Sequence, residues 1–141
     1  VLFVHWGNEY ETLPSRQQRA LADCFHRQGA DLVIGSHPHV VQPYRADSAG
    51  AVFYSLGNFV SNQRRRYCDG GIVAVIDVVC RDGQRPLFRA GTVPVWVLLP
   101  GYRVLPGPVA DTLRMSPAAR RAYERFAADT HEILSAATNA E

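Results

Sequence analysis

Two short apolar runs, "VLFV" at the start and "ADLVIG" at 30–35, flank a stretch with helical signals, and this spacing restricts the chain to few folds. The first run ends in His5 and Trp6 and is followed by a loop, "GNEYETLP". Pro14 and Ser15 open a helix, with Ser15 as N-cap and Leu21, Ala22, Cys24 and Phe25 as its candidate buried face. Gln28 and Gly29 close it, glycine being suited to the left-handed C-cap position. Strand, helix and strand in that order predict parallel pairing of the two runs, and hence an α/β fold.

The rest of the chain has a different texture. "HVVQPYR" and "AVFYSLG" read as short strands around a turn-rich "ADSAG". "GIVAVIDVVCR" is β-branched and predicts a mostly buried strand. Asp82-Gly83 is a hairpin signal, and "LFRAGTVPVWVLL" is the returning strand. Pro94 places part of that strand at an edge or bulge, since proline cannot donate to a ladder. "PGYRVLPGPVADT" reads as a loop. Ser116-Pro117 starts a final helix running to about Ala137, with Tyr123, Phe126, Ile133 and Leu134 on a face suited to core packing.

Bulk properties remove several function classes. A chain of 141 residues, 47% hydrophobic, can bury a core and is not disordered by composition. A net charge of +2 gives no reason to expect a nucleic-acid partner. Cys24, Cys68 and Cys80 contain no CxxC, which excludes a zinc-finger reading. No apolar run approaches the roughly 18 residues of a membrane span. No signal peptide is visible, but a chain opening on Val1 leaves localisation open.

The candidate chemistry lies at strand ends. Ligands of α/β sheets bind beyond the carboxyl ends of the strands. His5 ends the first apolar run, and His37 and His39 follow the second in "GSHPH". Parallel pairing would turn three imidazoles toward one crevice. Neutral imidazole is a common ligand for divalent metals, and Pro38 would stiffen the loop between two of them. The competing reading is a set of ordinary loop or surface histidines, as expected for His26 and His131 in helices. Glu9 could ligate, support an imidazole, touch substrate, or simply form a solvated turn. Asn58 could orient a histidine or bind substrate, or belong to a turn in which Gly57 takes a positive φ. Arg64–Arg66 could grip an anionic group or line a solvated loop. Neither a nucleophile elbow nor a phosphate-binding glycine loop occurs.

Taken together, "VHWGNEY", "GADLVIGSHPHVVQP" and "YSLGNFV" resemble the CapA family of capsule or poly-γ-glutamate biosynthesis proteins, within the calcineurin-like metallophosphoesterase superfamily. The resemblance runs from Val1 to about Val79. It implies a four-layer α/β/β/α sandwich around a two-metal centre holding divalent ions such as Mn, Fe or Zn. By resemblance His5 and His37 would share one metal and His39 would bind the other. Glu9 and Asn58 stand as candidate catalytic residues, and Gln42, Arg64 and Arg65 as candidate substrate contacts. By resemblance, the superfamily's early motifs, an Asp-x-His, a Gly-Asp and a Gly-Asn-His, are expected to be missing from the chain and to lie upstream of Val1. The chain is therefore expected to be the carboxyl-terminal half of such a domain over 1–110, followed by a helical segment over 111–141, with an apolar sheet edge exposed.

The implied function is metal-dependent hydrolysis of a phosphoester or related substrate. The alternatives are a non-catalytic capsule-assembly protein that binds an anionic polymer, and an inactive fragment. Capsule machinery at a membrane is a further implied partner, because family members are often exported or tethered.

Overall fold

The computed structural model describes residues 1–136, so Ala137, the expected end of the last helix, lies outside the described residues. Seven strands and three helices follow in the order β1 (Leu2–His5), α1 (Arg16–Arg27), β2 (Leu32–Ser36), β3 (Tyr44–Asp47), β4 (Gly50–Phe53), β5 (Gly70–Val79), β6 (Leu87–Leu98), β7 (Arg103–Pro106), α2 (Gly107–Thr112) and α3 (Pro117–Ser135). One sheet has the order β1-β2-β4-β3 and the other β5-β6-β7.

The expected strand–helix–strand unit forms. β1 pairs parallel to β2 with Leu2 opposite Val33 and His5 opposite Ser36, and β2 pairs parallel to β4. Ser15 caps α1 through a reciprocal capping box with Gln18, and Gly29 takes φ +96° beyond the helix. The buried face of α1 is narrower than expected. Gln18 and Ala22 are buried, whereas Leu21 is exposed and Cys24 and Phe25 are only half-buried.

Alternation along the strands sorts side chains into layers, because successive residues face opposite sides of a sheet. Val33 and Val52 join Trp6, Ala22 and Tyr54 under α1. Leu32, Ile34, Ala51 and Phe53 turn the other way and meet Ile72 and Phe88 of the second sheet. On the far side of that sheet, Trp96 and Leu105 pack with Ala110, Tyr123 and Phe126 of α2 and α3. The order is helix, sheet, sheet, helix, an α/β architecture of four layers. Tyr123 and Phe126 are buried and Ile133 and Leu134 half-buried, so the apolar face of α3 serves the core.

Three local expectations are corrected. "HVV" is no strand: only an isolated bridge from Val41 to Leu56 forms, and the hairpin begins at Tyr44. β5 is buried over Gly70–Ile72; beyond that Ala74 and Ile76 stay half-buried against the core between the sheets, while Val73, Val75 and the last residues of the strand face solvent. The Pro/Gly-rich segment after Leu98 holds β7 and α2, with Pro106 at the strand end and Pro108 at the helix start. Pro94 marks the point where β7 stops: β6 pairs with both neighbours at Val95 and Trp96, with β7 alone at Val97 and Leu98, and with β5 alone before Val95.

β1 and β5 are each one of the two edge strands of their sheets, the others being β3 and β7. Between β1 and β5 lies an apolar groove of about 710 Å³ lined by Phe3, Ile34, Leu56, Phe59, Ile72 and Val73, among others. Phe3 is 77% exposed there. Among the described residues the three cysteines are free, and no helix is long and apolar enough to cross a membrane.

Candidate functional site

His5, His37 and His39 converge as the parallel pairing requires. The His5 and His37 ring centres are 4.3 Å apart, and those of His37 and His39 are 6.3 Å apart. Gly35 lets the second strand enter the site. A Cβ there would collide with the Tyr54 carbonyl and the Trp6 indole, which hydrogen-bond to each other at 2.8 Å. His37 and His39 both hold positive φ, +103° and +61°, on either side of buried Pro38. Side chains other than glycine rarely occupy that region, so the surrounding contacts must hold the loop in it.

A buried amide network holds the loop from below. Gln18 Nε2 donates to Gln42 Oε1 at 2.8 Å, and Gln42 Nε2 donates to the carbonyls of Glu11 at 2.8 Å and Leu13 at 3.2 Å. Gln42, a candidate substrate contact from sequence, is fully buried with its amide engaged at both ends. Its place is inside the fold, joining α1, the β1 loop and the segment after the histidines.

Asn58 decides the state of His39. Its Nδ2 donates to Cys68 O at 2.8 Å and to Gln63 Oε1 at 2.9 Å, so its Oδ1 faces His39 Nδ1 at 3.0 Å. The Cys68 carbonyl can only accept, which fixes the amide's orientation, and Oδ1 then requires a proton on Nδ1. The Nε2 lone pair of His39 is left facing outward, with Glu9 Oε1 3.8 Å away, too far for a hydrogen bond.

Tyr10 completes the wall. Its N–H donates to the Pro38 carbonyl at 2.8 Å, and its ring lies against His39 with centres 6.2 Å apart. The Glu9 carboxylate beside it raises the phenol's pKa above its ordinary value. Cys68, behind Asn58, is buried, and burial pushes its thiol's pKa up.

The basic run does not act as a unit. Arg64 reaches the carbonyls of Val97 and Ser61, Arg65 lies over the Tyr10 ring, and Arg66 pairs with Asp129. Asp129-Thr130-His131 has Asp-x-His spacing but sits in α3, with its carboxylate bound by Arg66. It does not stand in for the early motif. Among the described residues no group of three or more His, Cys, Asp or Glu side chains stands in metal-holding geometry.

Tyr10, Gln18, Gln63 and Cys68 were not singled out from sequence as site residues. Only Gln18 carried a local signal, the Ser-x-x-Gln spacing of a capping box. The others act through contacts between segments distant in the chain.

The fold and site define an α/β chain with clustered imidazoles at the carboxyl ends of parallel strands. Residues 1–63 match the model of the family described as bacterial capsule synthesis protein PGA_cap. Over 63 residues the chain is 49% identical to the capsule biosynthesis protein CapA of Bacillus anthracis, covering 45% of this chain and 15% of that protein. It is 48% identical over 63 residues to the PGA biosynthesis protein CapA of Bacillus subtilis (strain 168), covering 45% and 17% respectively. Over this stretch, less than half of the chain, it is similar to the CapA capsule biosynthesis proteins, and it spans only a small part of their length. The match to the family model contains His5, Glu9, His37, His39, Gln42 and Asn58, and stops before Arg64.

Proposed function

We propose that the histidine cluster is part of a divalent-metal centre that serves hydrolysis of a phosphoester or similar bond in a longer capsule-biosynthesis protein. The observation that carries this reading is His39, whose Nδ1–H is fixed by Asn58 so that the Nε2 lone pair is left available on the side where Glu9 stands. A metal-ligating histidine commonly has its second ring nitrogen bonded in this way. By ligand type, imidazoles and a carboxylate suit Mn, Fe or Zn, but among the described residues no three of these side chains stand in metal-holding geometry, so further ligands would have to complete the centre. His5 and His37 would hold one ion and His39 a second. A bound ion there supplies Lewis-acid polarisation of a phosphoryl or carbonyl oxygen.

The chain's own residues do the positioning. Gly35 and the Gln18–Gln42 pair hold the loop, Asn58 holds the His39 tautomer, and Glu9 places a carboxylate near His39 Nε2 that can accept a proton or orient water.

The test is metal affinity, measured by elemental mass spectrometry after dialysis and by competition with a chelator. The chain is expected to retain Mn, Fe or Zn, and His37→Ala and His39→Ala to lose it at least about tenfold. Equal metal content in wild type and both variants would contradict the reading.

A further inference from the structure

Two guanidinium groups of the basic run have structural work. Arg64 donates to Val97 O at 3.3 Å and Ser61 O at 3.0 Å. Arg66 makes two bonds to Asp129, at 3.1 and 2.9 Å, and lies 4.9 Å from the Tyr67 ring centre. Together they fasten the segment after Asn58 to β6 and α3. Arg65 is exposed, and among the described residues its side chain makes no hydrogen bond or ion pair. Its guanidinium carbon stands 4.2 Å over the Tyr10 ring.

Stacking uses the face of a guanidinium and leaves its N–H donors pointing outward in the plane. Those donors form a fork that matches two oxygens of a phosphoryl or carboxylate group. The ring beneath is itself anchored: Tyr10 N–H bonds Pro38 O at 2.8 Å, and its ring lies against His39. Arg65, Tyr10, His39, His37 and His5 therefore form a continuous row. Glu9 is the carboxylate nearest His39, and its charge opposes an anion over the imidazoles. An anionic group is favoured at the guanidinium end of the row.

We propose that Arg65, held on the Tyr10 ring, is the oxyanion receptor beside the histidines and binds a phosphoryl or carboxylate group of the molecule handled there. This rests on the histidine cluster being the reacting site, but the receptor itself needs no metal.

The test is a titration of the chain, in chelator and at low salt, with inorganic phosphate and separately with a short glutamate peptide, followed by NMR. Binding is expected to shift the Tyr10 and His39 resonances. Arg65→Gln should weaken it roughly tenfold. Tyr10→Leu should weaken it in the same direction, while Arg81→Gln, just past the far end of β5, should change it by no more than about twofold. Tighter phosphate than peptide binding would assign a phosphorylated ligand, and the reverse order a polycarboxylate; either supports the receptor. No binding by wild type, or equal loss in Arg65→Gln and Arg81→Gln, would overturn it. Because chelator is present, Arg65-dependent binding in a chain with no metal affinity would sink the metal reading and leave the receptor standing.

Discussion

Asn58 shows how one side chain can set the chemistry of another. Each of its polar atoms is engaged, and the acceptor-only Cys68 carbonyl leaves His39 one tautomer. Asn58→Leu would leave the His39 Nδ1–H, the Cys68 carbonyl and Gln63 short of a partner. A buried group without its hydrogen bond costs about 1–3 kcal/mol. Urea unfolding should show a loss of that order, and nitrogen NMR of the ring should show His39 losing its single Nδ1–H form. A His39 spectrum unchanged by the substitution would mean that Asn58 does not set the tautomer. Tyr10 is the residue that sequence reading passed over beside Glu9, because its value comes from partners at Pro38, His39 and Arg65.

At the scale of elements, the loop between β2 and β3 is held by α1 and the β1 loop, while α2 and α3 secure the second sheet. The Tyr123 hydroxyl on α3 donates to Asp111 Oδ1 at 2.6 Å, linking the two helices. Burial first, and then the Asp111 carboxylate, push the phenol's pKa up to about 12 from an ordinary 10.0. Below about pH 10 the phenol is protonated in both folded and unfolded chains, and its contribution is fully present. Between about pH 10 and 12 the unfolded chain releases the proton while the folded chain keeps it, so stability falls as pH rises. Melting curves of wild type and Tyr123→Phe should therefore converge, or cross, as pH climbs through that window. A constant difference across it would contradict the shift.

At the scale of the molecule, both sheets end in open strands that flank one apolar groove. Unpaired strand edges and contiguous apolar surface favour association. Sedimentation should show concentration-dependent self-association of the wild-type chain, and a hydrophobic dye should bind. Phe3→Lys places a charge on the exposed edge strand and should reduce both, with little change in melting temperature because Phe3 is 77% exposed. Unchanged association would show that this groove is not the sticky surface.

Much of this was legible in the sequence because the signals were local. The parallel unit from Val1 to Gly35, the Ser15 and Ser116 caps, the turn at Asp82-Gly83 and the placing of three histidines at strand ends depend on alternation, capping and turn chemistry within a few residues. The "HVV" segment and the emergence of β5 into solvent were not legible, since both depend on which layer lies alongside. The roles of Gln42, Arg64 and Arg66 were also hidden. A glutamine or arginine has the same donors wherever it sits, and only the segments brought beside it decide whether they bind the protein's own carbonyls and carboxylates or remain free. The sequence determined which chemical groups could gather at the strand ends. The tertiary structure decided which of them hold the loop and which face the crevice, because hydrogen-bond partners distant in the chain meet only when the layers pack.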